Sequence, residues 1–227
     1  MRTLSLFILL LLFGCQSNPK ERQSESISEP ITIEAASLIP EGYVLTDSIG
    51  GDLTSDGINE FALMISEDDD SNVTENEYGD PVNNNRRGIL IFSQVNEKTE
   101  LLSQNLSCFS ASQSDGMYMA PELYVEISDN TLIVNYANGR YGYWNYTFKY
   151  QNSAFELIKY FNSSSNGPVT DEETVMDFMT MKMTVKTNTN PLAQMEGEEE
   201  FEEATEEIKA EGLVKLSEID DFDSLFK

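Results

Sequence analysis

The chain is 227 residues long and carries 40 acidic against 14 basic side chains, a formal net charge of −26. Such a balance offers no basic patch to neutralise phosphates, so it excludes nucleic acid as a partner and argues against charge-driven adsorption to anionic lipid. There is no histidine, which removes Ser-His-Asp and Cys-His catalysis and the usual zinc sites.

Met1-Arg2-Thr3 is a short basic start, and Leu4 to Phe13 is almost wholly apolar. A run of that size suits a signal h-region of about 7–15 residues and falls short of the roughly 20 needed to cross a bilayer. It ends Leu12-Phe13-Gly14-Cys15, an aliphatic, a variable and a small residue and then Cys. This resembles the lipobox of bacterial lipoproteins, with Phe13 bulkier than the pattern usually carries. The resemblance implies that residues 1–14 are a cleaved signal and that Cys15 becomes a lipid-bearing (palmitate-type) first residue. It implies a place in the cell envelope, with the outer membrane favoured over the inner. Each buried CH₂ contributes about 0.8 kcal/mol, so several chains on one residue anchor stably. The competing reading is an ordinary signal peptide that contains a Cys. Residues 16–30 are polar with almost no apolar content and cannot offset their ordering entropy. Residues 15–34 therefore read as a lipidated, flexible tether.

One other cysteine, Cys108, remains, so no intramolecular disulfide is available. It reads as a small, buried, unreactive side chain. A β domain is expected over 35–190. Tyr43 to Ile49 alternates, and Glu60 to Ser66 is apolar on both faces, as in a central strand. Residues 67–87 read as a long exposed loop. Gly88 to Val95 and Thr99 to Leu106 follow as strands. Residues 122–161 form a four-stranded meander with tight turns at Asp129-Asn130 and Gln151-Asn152-Ser153. Met179, Met181, Met183 and Val185 alternate within Thr174 to Lys186, which favours a last strand over a helix. Residues 191–210 are dominated by Glu and read as an acidic linker or solvated helix. Residues 211–227 offer an edge strand at 213–216 and a short terminal helix from Glu218. The fold class is all-β and mainly antiparallel, with blade-like meanders forming a small sandwich or partial propeller.

The most specific internal motif is Gly51-Asp52-Leu53-Thr54-Ser55-Asp56-Gly57-Ile58-Asn59-Glu60, which runs straight into an apolar strand. Asp52, Thr54, Asp56 and Glu60 supply oxygen side chains at alternating positions, Gly57 permits a sharp turn, and Ile58 offers its carbonyl. With Asp52, Asp56 and Glu60 about 5 Å from a common centre, each pair repels by roughly 3 kcal/mol at an effective dielectric near 20. Calcium would relieve that repulsion, and magnesium suits a non-octahedral cage less well. A metal-free Asp/Gly hairpin is the alternative. Leu63 at position 12 and the strand that follows exclude an EF-hand. The loop resembles the FG-GAP or VCBS repeat of integrin-like β-propellers, with Thr54 for the usual Asn and Glu60 for the usual Asp. That resemblance spans about 40–106 and contains a single loop, which implies one blade-like unit in a smaller β assembly. The remainder, including Gly139 to Tyr150, resembles uncharacterised bacterial lipoproteins that carry such a loop, which implies a cell-envelope location and no settled activity.

Tyr141, Tyr143, Trp144, Tyr146, Phe148 and Tyr150 share one strand. Exposed, such a row would stack on sugar rings. Because even and odd positions fall on opposite faces, the core reading is favoured. The function expected is a lipid-anchored, non-enzymatic binding or scaffold protein of the cell envelope. It would carry a structural calcium loop and an unidentified protein or glycan partner. The alternative is a glycoside hydrolase-like envelope enzyme using paired carboxylates.

Overall fold

The computed structural model describes residues 37–95, 98–111, 121–190, 192–193 and 197–226, so the signal, Cys15 and the tether lie outside the described residues. The chain runs β1 (Tyr43–Gly51), β2 (Glu60–Glu67), a small hairpin of β3 (Val73–Glu75) and β4 (Pro81–Asn83), then β5 (Arg87–Val95) and β6 (Lys98–Phe109). It continues through β7 (Glu122–Ser128), β8 (Thr131–Ala137), β9 (Gly142–Gln151), β10 (Ala154–Asn166), β11 (Val169–Asp177), β12 (Lys182–Asn188) and β13 (Phe201–Glu207). One sheet has the order β1-β2-β5-β6, and a second has seven strands in unbroken sequence order from β7 to β13. All of these pairings are antiparallel, and the class is a sandwich-like all-β fold, as the short alternating strands imply.

Burial explains why β2 and β5 read as continuous apolar runs. Ala62, Met64, Ile89 and Ile91 pack in the main core with Val125, Leu132, Val134, Tyr146 and Phe148 of the second sheet. Leu63, Ile65, Leu90 and Phe92, on the opposite face, form a smaller core covered by Leu38, Ile39, Tyr43 and Leu45. The two-sided apolar pattern therefore marks central strands of the first sheet.

The second sheet is threaded by tight turns. Asp129 and Asn130 take φ of 50° and 58°, and Asn152 and Ser153 take 52° and 59°, the left-handed pairs that two-residue hairpins require. On β9 the even-numbered aromatics Trp144, Tyr146 and Phe148 face the core, while Tyr143 on the other face is exposed, as is Tyr141 in the 3-10 turn before the strand, so the expected core role holds for one face only. Further along, opposite charges face one another: Lys159, Asp177, Lys182 and Glu207 lie opposite one another across β10 to β13, and Glu173, Lys186 and Glu203 form a second alternating row. Opposite charges in directly facing positions favour this pairing over a shifted one.

Four elements differ from expectation. Residues 67–87 contain a 3-10 turn at Asp70–Asn72 and the β3–β4 hairpin. The Met-rich stretch 174–186 is two strands joined by a turn in which Met181 has φ of 55°; alternation by Met carries no mark of where a chain reverses. The acidic stretch 191–210, read as a linker, contributes β13, whose Glu203 and Glu207 face Lys186 and Lys182. The terminal helix is replaced by 3-10 turns at Leu216–Glu218 and Phe222–Ser224.

That terminal segment closes the sandwich. Val214 accepts the Leu157 N–H at 2.8 Å, and Asn105 Nδ2 donates to the carbonyls of Leu216 and Ile219 at 2.8 and 2.7 Å. The Tyr146 hydroxyl donates to the Phe222 carbonyl at 2.9 Å. The Phe222 ring sits 4.8 Å from both Phe109 and Tyr146, centroid to centroid. Phe222→Ala should lower the unfolding free energy by about 3–5 kcal/mol, read as a shift in urea midpoint. A loss below about 1 kcal/mol would show that the segment only lies on the core.

Candidate functional site

Residues 52–59 connect β1 to β2, and their backbone is organised by three carboxylates. Asp52 Oδ1 accepts the N–H groups of Ser55 and Asp56 at 2.7 and 3.2 Å, and Oδ2 accepts that of Gly57 at 3.0 Å. Ser55 and Gly57 take φ of 65° and 84°, so the chain curls around Asp52 and aims successive N–H groups at it. Asp56 Oδ1 accepts the Ile58 N–H at 2.8 Å. Asp56, Gly57 and Ile58 are exposed and Asp52 is partly so.

Glu60 points the other way. It is fully buried, and its Oε2 accepts the N–H groups of Leu53 and Thr54 at 2.7 and 3.0 Å. Thr54 Oγ1 lies 3.4 Å from Oε1. A carboxylate at the first residue of a strand thus holds the opposite end of its own loop. The predicted set is divided accordingly: Asp52, Asp56 and Ile58 lie on the outer curl, while Thr54 and Glu60 form an inner clamp. Among the described residues, no group of three or more Asp, Glu or Cys side chains is placed to hold a metal ion. Asp52 Oδ1 is taken up by two N–H groups, while Asp52 Oδ2 and Asp56 Oδ1 accept one each and so keep a second lone-pair site for a cation.

The loop also joins the two sheets. Leu53 is buried in the main core, and Asn130 Nδ2, from the β7–β8 turn, donates to the Asp52 carbonyl at 2.8 Å. At Gly51 the approach is close enough that a Cβ would lie 2.7 Å from Ile127 Cγ2. Sequence reasoning placed Glu60 among the ligands and gave Asn130 only its place in the β7–β8 turn. The signal for Glu60 was its position, since a carboxylate opening a strand buried on both faces has to satisfy its oxygens locally.

Cys108 is fully buried, and burial pushes its thiol well above the ordinary range. It is a packing residue, in keeping with its apolar surroundings.

No known family model matches the chain, and neither a curated protein nor a solved structure gives a match.

Removing the inner clamp orphans two backbone donors. Glu60→Ala should destabilise by about 1–3 kcal/mol for each donor left buried, and Glu60→Gln, which keeps one acceptor oxygen, by less. Urea denaturation of both variants checks this. Equal stability of wild type and Glu60→Ala would mean that water replaces the carboxylate.

Proposed function

We propose that the protein is a lipid-anchored, non-enzymatic binding or scaffold protein of the cell envelope, whose sheets are stiffened by calcium at the 52–60 loop. The observation that carries this reading is the position of the loop as a fastening between the sheets: Leu53 enters the shared core and Asn130 ties the Asp52 carbonyl to the second sheet. A cation held there acts on the whole scaffold. Asp52, Asp56 and the Ile58 carbonyl would take it on the outer curl, and Thr54 and Glu60 fix the backbone beneath it. With two carboxylates and a neutral carbonyl, water fills the remaining positions, as in the weaker extracellular calcium modules. The similarity of residues 40–106 to an FG-GAP or VCBS unit fits a four-stranded antiparallel sheet with the loop between its first two strands.

The anchor belongs to the same proposal. The hydrocarbon on Cys15 supplies membrane affinity that a chain of net charge −26 does not obtain from electrostatics. Among the described residues, no helix is long and apolar enough to cross a membrane.

Calcium at about ten times its Kd should stabilise by about 1.4 kcal/mol, a Tm rise of roughly 3–5 °C for a domain of this size, and magnesium should do less. Asp56→Asn should remove the response with little change in Tm under chelator. Asp52→Ala should remove it and also lower the chelator Tm, because three N–H groups lose their acceptor. Melting curves indifferent to calcium, magnesium and chelator would reduce the loop to a hydrogen-bonded turn.

Cys15→Ala should release the protein from carbonate-washed membranes into the soluble fraction. Its retention in the membrane pellet would overturn the anchor and leave the calcium result independent.

A further inference from the structure

Where the first sheet passes the edge of the second, the face that should be apolar turns polar. In β2 and β5 the core-facing positions run Ala62, Met64, Ser66 and Ile91, Ile89, Arg87. On β1 the same face carries Asp47, opposite Met64. A register shift lies between Leu45 and Asp47, and Thr46, the residue passed over, donates its hydroxyl to the Met64 carbonyl at 3.0 Å. Such bulges re-aim side chains and recur beside binding sites. Polar residues at positions that the pattern assigns to the core mark places where folding rules yield to function.

Thr46, Asp47, Met64, Ser66 and Arg87 line an open pocket of about 400 Å³, together with Leu123 and Tyr124 of β7. That volume is within the ~300–1,000 Å³ range of small-molecule sites. Arg87 is held in place there. Its Nε donates to the Ser110 carbonyl at 2.9 Å, and among the described residues no carboxylate forms an ion pair with it. Among the described residues its Nη groups have no hydrogen-bond partner, and these are the donors it offers to a ligand. Burial lowers its pKa, with Tyr136 and Asp223 opposing, and a guanidinium is not deprotonated in proteins. Tyr136, opposite Leu123 in the register, keeps a buried hydroxyl with no hydrogen-bond partner among the described residues.

We propose that this wedge, bounded by Thr46, Asp47, Ser66, Arg87, Leu123 and Tyr124, binds a neutral saccharide. The proposal rests on the binding-protein reading and names its ligand class. Arg87 donates to ring or hydroxyl oxygens and Asp47 accepts from neighbouring hydroxyls, a pairing that vicinal diols satisfy and apolar ligands do not. Met64, Leu123 and the rim residue Tyr124, which is 40% exposed, give the C–H-bearing ring face an apolar surface. Charge decides against an anion: Asp47 stands in the wall and the chain carries −26 overall, so an approaching anion is repelled. A zwitterionic amino acid would pair with Arg87 and Asp47 but leave the apolar walls uncovered.

The test uses the full chain in detergent, screened on an array of neutral glycans and then titrated calorimetrically. The titrants are hits from the array, N-acetylglucosamine, glucose, glycine and inorganic phosphate. At least one neutral saccharide should bind saturably. Arg87→Gln and Asp47→Asn should each weaken it tenfold or more, and Asp47→Asn, on a side chain outside the packed core, should leave Tm unchanged. Saccharide binding that survives both substitutions would overturn the site and keep the binding-protein reading. Heat from glycine or phosphate with none from saccharides would overturn the ligand class. Silence across the array would overturn the proposal, while the Cys15→Ala and calcium experiments test the broader reading separately.

Discussion

The ring of Phe222 touches Phe109 in the first sheet and Tyr146 and Phe148 in the second. A side chain that contacts both layers lets the terminal segment act as the third wall of the core. The sheets differ in size, four strands against seven, so one of them cannot cover the other along its whole width. Residues 213–226 fill the difference: Leu216, Ile219 and Phe222 are buried, and Leu213, Val214, Leu225 and Phe226 pack against the same cluster. Arg86 adds a polar fastening, donating to the Ser107 and Asp220 carbonyls and pairing with Asp221 at 3.6 Å. That pair is about one-third exposed on each side, so it contributes little beside the aromatic contacts. Burial of a phenyl group against three other rings stabilises severalfold more.

At the loop the same problem, holding two sheets in one register, is solved with hydrogen bonds. Glu60 clamps Leu53 and Thr54, Leu53 enters the core, and Asn130 reaches across from the other sheet. An acidic group suits this position because one carboxylate satisfies several N–H donors that would otherwise be buried without partners. It also explains why a loop with the spacing of a cation site folds without gathering its carboxylates at one point. Its backbone donors claim them first, and a cation adds to an arrangement already formed.

Much of the fold was legible because it follows from local rules. The Asp129-Asn130 and Asn152-Ser153 turns are written in residues that tolerate positive φ. That Trp144, Tyr146 and Phe148 share one face of β9 follows from parity along a strand. Three features were not legible. The turn around Met181 lacks glycine, proline or asparagine at its positive-φ position, so nothing in the pattern interrupts the strand. β13 is rich in glutamate and is a strand through its pairing with β12, where Lys182 and Lys186 stand opposite Glu207 and Glu203, a non-local pairing. At the site, the residue types of the loop were readable, and the position of Glu60 signalled oxygens satisfied locally, but its separation from Asp52 and Asp56 was not readable, since it depends on which face of β2 the second sheet covers. Arg87 and Asp47 were invisible for the same reason, as alternation shows a polar residue on a face without showing what the face meets.

The surplus of acid has a structural use that charge counting hides. β13 is the outermost strand of the seven, and every residue in it is exposed. An edge of that kind presents unpaired backbone groups to any passing strand. Glu202, Glu203, Glu206 and Glu207 make the edge hostile to another copy of itself, because antiparallel self-pairing sets like charges opposite one another. The inner neighbour β12 places Lys182 and Lys186 opposite Glu207 and Glu203, so the charges facing inward are opposite and those facing outward are like. The net charge of −26 is thus partly a device of the fold. The same repulsion acts on anionic ligands, which is why a neutral ligand is proposed for the wedge beside Arg87 and why the proposed membrane attachment falls to the hydrocarbon on Cys15.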